Sequence, residues 1–154
     1  MYSPSYERMV TGLTHNNKQS LWIQPYKLIC PSIHPRLLVR ERLLKLLDQS
    51  RLMPLTCVYS PAGFGKSTLV ASWLRARKLL HGWYSLDSND NDASYFINHM
   101  IHALHHASQG GCPQTLALLQ QQEHANLNSL LAKAMTEIAQ TSVNFLWCLM
   151  MCMC

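Results

Sequence analysis

Ser60-Pro61-Ala62-Gly63-Phe64-Gly65-Lys66-Ser67-Thr68 follows the β-prone run Thr56-Cys57-Val58-Tyr59 and precedes an amphipathic stretch from Leu69 to Leu80. Strand, glycine-rich loop and helix in that order are the required context of a phosphate-binding loop. Glycines let the backbone wrap closely around phosphate oxygens, and consecutive amide N–H groups with the positive end of the following helix stabilise the anion. Ala62, Gly63, Phe64, Gly65, Lys66, Ser67 and Thr68 are therefore the candidate nucleotide-binding residues. Lys66 is expected to reach the outer phosphates as a point charge, and the Ser67 hydroxyl to ligate Mg²⁺. The strict pattern starts with Gly six residues before the Lys, where this chain has Ser60, so the match is to the functional half of the motif.

Outward from the loop, the chain reads as alternating elements. Pro25, Pro31 and Pro35 punctuate an extended stretch leading to a helix from about Leu38 to Leu47, with Leu43, Leu44, Leu46 and Leu47 as its apolar face. In the helix after the loop, Leu69, Val70, Trp73 and Leu74 recur one turn apart, and Arg75, Arg77 and Lys78 suit the negative pole of its dipole. Trp83 to Leu86 is predicted as a second strand, closed by Asp87. Helices are predicted from Ala93 to Ala107, over Gln114 to Gln122 and from Leu127 to Ala139, before an apolar run from Val143 to Leu149. The expected fold is α/β, a P-loop NTPase-like parallel sheet with flanking helices, with nucleotide at the C-terminal edge of the first strand. The sheet is expected to be incomplete, because a full one of five or more strands normally needs more than 154 residues.

Composition excludes several functions. With 48% apolar and 14% charged residues the chain is globular, and the low charged fraction points to surfaces meant to be covered. The net charge of +5 is modest, and Arg36, Arg40, Arg42, Lys45 and Arg51 are not interleaved with an aromatic platform, so solvated helix faces are expected in place of direct nucleic-acid binding. No apolar run reaches the ~20 residues of a membrane span, and residues 1 to 8 lack a signal-peptide core, which makes the cytoplasm the expected location. Cys30, Cys57 and Cys112 are scattered and give no disulfide framework.

Three pieces in order resemble the N-terminal nucleotide-binding domain of the LuxR-type large ATP-binding transcription regulators, the MalT-like branch of the STAND NTPases. They are Lys27-Leu28 with Val39 to Leu44, the loop Ser60 to Leu69, and Gly82-Trp83-Tyr84-Ser85-Leu86-Asp87. The resemblance covers about residues 26–142, after a polar arm of residues 1–25. It implies ATP and Mg²⁺ as cofactors, and it places Val39 and Arg40 on the adenine side, where an ordinary amphipathic helix is the alternative. It also implies self-association in the full-length family and a distant DNA-binding part that is not among these residues. Trp83 and Tyr84 read as packed strand residues, and Asp87 as a turn cap. The alternative class is a self-contained small P-loop ATPase or kinase using Asp87 as its acid, and a third reading is a non-functional gene product.

Residues 143–154 carry a second signal. The third strand of such a domain should end in two acidic residues that hold Mg²⁺ and position water, whereas this chain has Trp147-Cys148-Leu149-Met150-Met151-Cys152-Met153-Cys154. Read from the third base of each codon, the same DNA admits Val-Leu-Asp-Asp-Val-His-Val, while the other shifted frame is closed by TGA at the Met150-Met151 junction. A frameshift between about Thr141 and Trp147 is therefore expected, and with it no efficient hydrolysis. The spacing Cys-x₃-Cys-x-Cys matches no zinc pattern. His99, His102 and His106 fall on one predicted helix face, where solvated histidines are expected in preference to a metal site. Asp87 to Asp92 resembles the start of a Ca²⁺ loop but has Asp92 where Gly is required and Asn98 where Glu is required.

Overall fold

A computed structural model describes residues 23–34, 36–121 and 126–151. The expectations for the N-terminal arm and for Cys152 and Cys154 therefore lie largely or wholly outside the described residues. The chain forms two compact units. One comprises Cys30–Leu79, and the other the described residues up to Ile29 together with Leu80–Met151.

In the first unit, α1 (Glu41–Ser50) and α2 (Lys66–Ala76) pack together. Helix α1 starts three residues later than its apolar pattern predicted, because Arg40 takes a non-helical backbone (φ −89°, ψ 72°). Leu44 and Leu47 are buried, but Leu46 is 51% exposed, so it does not belong to the packed face. The Trp73 indole donates to Asp48 (2.7 Å), and Arg77 donates to both Asp48 oxygens and to Glu41 (3.0 Å). These bonds hold the Asp48 carboxyl below the usual carboxylate range, with Arg77 the largest cause and Trp73 the next. Helix α2 stops well short of Leu80. Lys78 adopts φ +51°, its amide donates to Arg75 O and the Leu79 amide to Leu74 O, a Schellman closure with lysine where glycine is usual.

The expected first strand, Thr56 to Tyr59, is not formed: these residues belong to no regular element, and Tyr59 is 91% exposed. A strand exists by pairing its N–H and C=O groups with a neighbour. Among the described residues this unit holds no other strand, so β-propensity alone does not make the segment a strand.

The second unit carries the sheet. Strand β1 (His81–Leu86) pairs in parallel with β2 (Leu146–Met151), from His81 opposite Leu146 to Leu86 opposite Met151. A parallel pair needs a crossover, supplied by α3 (Ala93–Ala107), α4 (Pro113–Gln121) and α5 (Leu127–Ala139). Helix α3 has its predicted bounds because Asp92 caps it, accepting from the Tyr95 amide at 2.8 Å. Helix α4 is capped from a distance: Glu137 of α5 accepts from the Gln114 and Thr115 amides and from the Thr115 hydroxyl. Ile97, Ile101, Cys112, Leu130 and Ala134 form one core, and Ile23, Leu28, Tyr84 and Ala103 another. Trp83 and Tyr84 are packed strand residues, as expected. Gly82 is required by close approach, since a Cβ there would lie 2.6 Å from the Trp147 ring. The fold is thus mixed α/β with a two-stranded parallel sheet among the described residues. No helix among them is long and apolar enough to cross a membrane.

Candidate phosphate-binding site

Gly63 and Gly65 lie at φ +79° and +78°, in the left-handed region that costs a side-chain-bearing residue about 1–2 kcal/mol. A Cβ on Gly63 would meet nothing within 4 Å, so glycine is needed at that position for its backbone and not for space. Among the described residues only Lys78 and Gln109 combine a side chain with positive φ. Ser60 therefore has an ordinary backbone, and the departure from the strict motif has no conformational cost.

Gly65 is the N-cap of α2, and its carbonyl accepts from the Leu69 amide at 2.8 Å. The amides of Lys66, Ser67 and Thr68 thus occupy the first turn, where N–H groups have no intrahelical partner. No acidic residue sits in that turn to compete for them. The Lys66 ammonium folds back over the loop and donates to Ser60 O (2.7 Å) and Pro61 O (3.0 Å).

Beside the loop is a cleft of about 600 Å³ lined by Leu37, Leu38, Arg40, Leu44, Ala62, Gly63, Phe64, Gly65, Thr68, Leu69 and Ser72. Its size is that of a small-molecule site. The structure thus gathers Ala62, Gly63, Phe64, Gly65, Thr68 and Arg40 around one cavity. Val39, which is 54% exposed, Lys66 and Ser67 are not among the lining residues. Leu37, Leu38 and Ser72 were not singled out from sequence. Ser72 was findable, because it continues the helix face of Gly65, Thr68 and Leu69 at the 3.6-residue period.

Asp87 caps the 3-10 turn Ser88–Asn91 by accepting from the Asn89 amide, and it pairs with Lys27 at 3.0 Å. The acidic run that resembled a Ca²⁺ loop is that turn: Asp90 receives Lys27 at 2.6 Å, the Asp87 amide at 2.6 Å and the Tyr84 hydroxyl. Lys27 is only 1% exposed. Burial alone would lower its pKa, but the bonds to Asp90 and Asp87 outweigh burial and the net shift is upward. Burial would likewise raise the Asp90 carboxyl, yet Lys27 and Tyr84 hold it below the usual range.

Solvated histidines are expected on α3, and His106 is exposed, but His99 is fully buried and His102 is half-buried. His99 Nε2 accepts from the Gln24 amide (2.9 Å), which assigns the proton to Nδ1, 2.9 Å from Tyr95 O. Burial holds both imidazoles neutral, and burial, with smaller contributions from His105 and His99, pushes His102 down to about 4. Unfolding lets them titrate at about 6.5, so the unfolded chain binds more protons below that pH and stability falls as pH drops. The Asp90 contribution is lost lower still, as pH falls through its depressed carboxyl pKa. The Lys27 contribution is lost only above the ordinary lysine pKa of about 10.4. Thermal midpoints are therefore expected to be highest between about pH 7 and 8, to decline from about pH 6.5 downward, and to decline above about pH 8.5, where the unfolded chain ionises the Cys112 and Cys148 thiols that burial keeps protonated in the fold. A midpoint unchanged from pH 7.5 to 5 contradicts this account.

Strand β2, Leu146–Met151, carries no carboxylate, and burial raises its Cys148 thiol to about 11.

The loop sets the class: a mixed α/β protein whose Gly-x-Gly-Lys-Ser sequence opens a helix with two left-handed glycines. No protein-family profile matches the chain. It is 37% identical over 119 residues to the HTH-type transcriptional regulator MalT of Vibrio cholerae serotype O1, a match covering 77% of this chain and 13% of that protein. The chain is a MalT-like homologue, related to the LuxR-type STAND regulators. It spans only about an eighth of the relative's length.

Proposed function

We propose that this chain is an ATP-binding part of a MalT-like transcription regulator and that it hydrolyses ATP poorly. The observation that carries the reading is the meeting of two left-handed glycines and an acid-free helix N-terminus at a ligand-sized cleft, with the Lys66 ammonium held over the same loop. The group fits these residues: amides 63 to 68 suit phosphate oxygens, and Lys66 can exchange two carbonyls for them. Bound Mg²⁺ neutralises phosphate charge. Ser67 offers it one hydroxyl, while the apolar run from Val143 to Leu149 carries none of the carboxylates that normally support the ion. Nucleotide is therefore retained as a ligand more readily than it is consumed. In the full-length regulator the bound nucleotide favours self-association in the cytoplasm, and DNA contact belongs to other segments.

Titration calorimetry with Mg-ATP tests this. Saturable one-to-one binding displaced by tripolyphosphate, without phosphate release above background, is expected. A titration without binding contradicts the reading, and sustained phosphate release contradicts its second half.

A further inference from the structure

The hydroxyl of Ser72 is removed from solvent and has no hydrogen-bond partner among the described residues. A serine inside a helix ordinarily donates to the carbonyl four residues earlier or points into water. Ser72 does neither, and a buried hydroxyl left in that state costs about 1–3 kcal/mol.

Ser72 also belongs to the wall of the cleft, on the helix face that carries Gly65, Thr68 and Leu69. The residue as a whole is half-buried. To serve a ligand in the cavity the hydroxyl must leave its partnerless position by rotation about χ1, which serine makes between staggered wells. Six residues separate it from Lys66, an axial distance of about 9 Å. That distance suits the far end of a nucleotide whose phosphates lie on the loop. Leu37, Leu38 and Leu69 also line the cleft and offer apolar surface to a flat ring.

We propose that Ser72 is the polar contact for the base of a purine nucleotide, which lies in the cleft between these leucines. The inference rests on the proposed nucleotide site and adds the residue that reads the base. A hydroxyl both donates and accepts, so it can serve a ring nitrogen or an exocyclic amine. The leucines supply the area and Ser72 fixes the orientation, the usual division of labour in small-molecule pockets.

The test compares ATP with inorganic tripolyphosphate, which has the phosphates and lacks the base, on the wild-type chain, Ser72→Ala and Ser72→Leu. Wild type is expected to bind ATP more tightly than tripolyphosphate. Ser72→Ala should weaken ATP by about threefold to tenfold and Ser72→Leu by more, because its side chain fills the base position. Tripolyphosphate affinity should be the same in all three, which also reports that the loop is folded. Equal ATP affinity in wild type and both variants overturns the inference, as does wild-type ATP binding no tighter than tripolyphosphate. Failure of both ligands to bind wild type overturns the nucleotide site itself and is thereby distinguished from failure of the base contact alone.

Discussion

Lys66→Ala is expected to reduce ATP affinity by at least about tenfold, and by several hundredfold if the ammonium contacts two phosphate oxygens, since each charge-assisted hydrogen bond contributes about 1.5–3 kcal/mol. The physical basis is the position of the ammonium. It is held over the loop by the Ser60 and Pro61 carbonyls at 2.7 and 3.0 Å, so it is already near the site and forfeits only two hydrogen bonds to neutral acceptors when it turns to phosphate. The bond to Pro61 is exposed, so that carbonyl can bond to water when the lysine is gone. The bond to Ser60 is part-buried, so unfolding free energy should fall by about 1–2 kcal/mol, well short of unfolding the chain. Loss of binding without loss of fold separates a ligand contact from a structural one. Unchanged ATP affinity in the variant would remove Lys66 from the site.

The second large effect is expected at Lys27. Its ammonium meets Asp90 at 2.6 Å and Asp87 at 3.0 Å, and it lies 4.8 Å from the centre of the Tyr95 ring. Lys27→Met keeps most of the aliphatic stem and deletes the charge, leaving Asp90 95% buried without its cation. Breaking a buried pair from one side costs about 3–5 kcal/mol, a large part of the ~5–15 kcal/mol that holds a domain folded. The sign of its pH dependence is also fixed. In the wild-type chain Lys27 holds the Asp90 carboxyl below its usual range, whereas in the variant burial acts with that compensation gone and raises it. The deficit of the variant should therefore shrink as pH falls through the carboxylate range. Urea unfolding at pH 7 and pH 4.5 measures both, and a deficit under about 0.5 kcal/mol at pH 7 contradicts the buried-pair account.

Lys27 marks the limit of what the sequence makes legible. Local signals were readable where a single residue type has a single job. Asp92 before an apolar period starts α3, Asn126 starts α5 by accepting from the Asn128 and Ser129 amides, and Gly63 and Gly65 announce the loop. Long-range pairings were not readable. Nothing near Lys27 in sequence indicates that its partners lie some sixty residues away, nor that His99 is tied to Gln24. Thr56 to Tyr59 has strand propensity, but propensity is realised only beside a paired neighbour. The cleft shows the same division: the loop residues lining it are a motif, whereas Leu37, Leu38 and Ser72 acquire meaning only once α1 and α2 have packed.

Hydrogen exchange at the amides of residues 62 to 68, with and without saturating Mg-ATP, tests the central claim most directly. Nucleotide held by the loop predicts strong slowing at Gly63, Phe64, Gly65, Lys66, Ser67 and Thr68, with the amides of α5 unchanged. Saturable ATP binding that leaves those six amides exchanging at their free rate would place the nucleotide elsewhere and contradict the account.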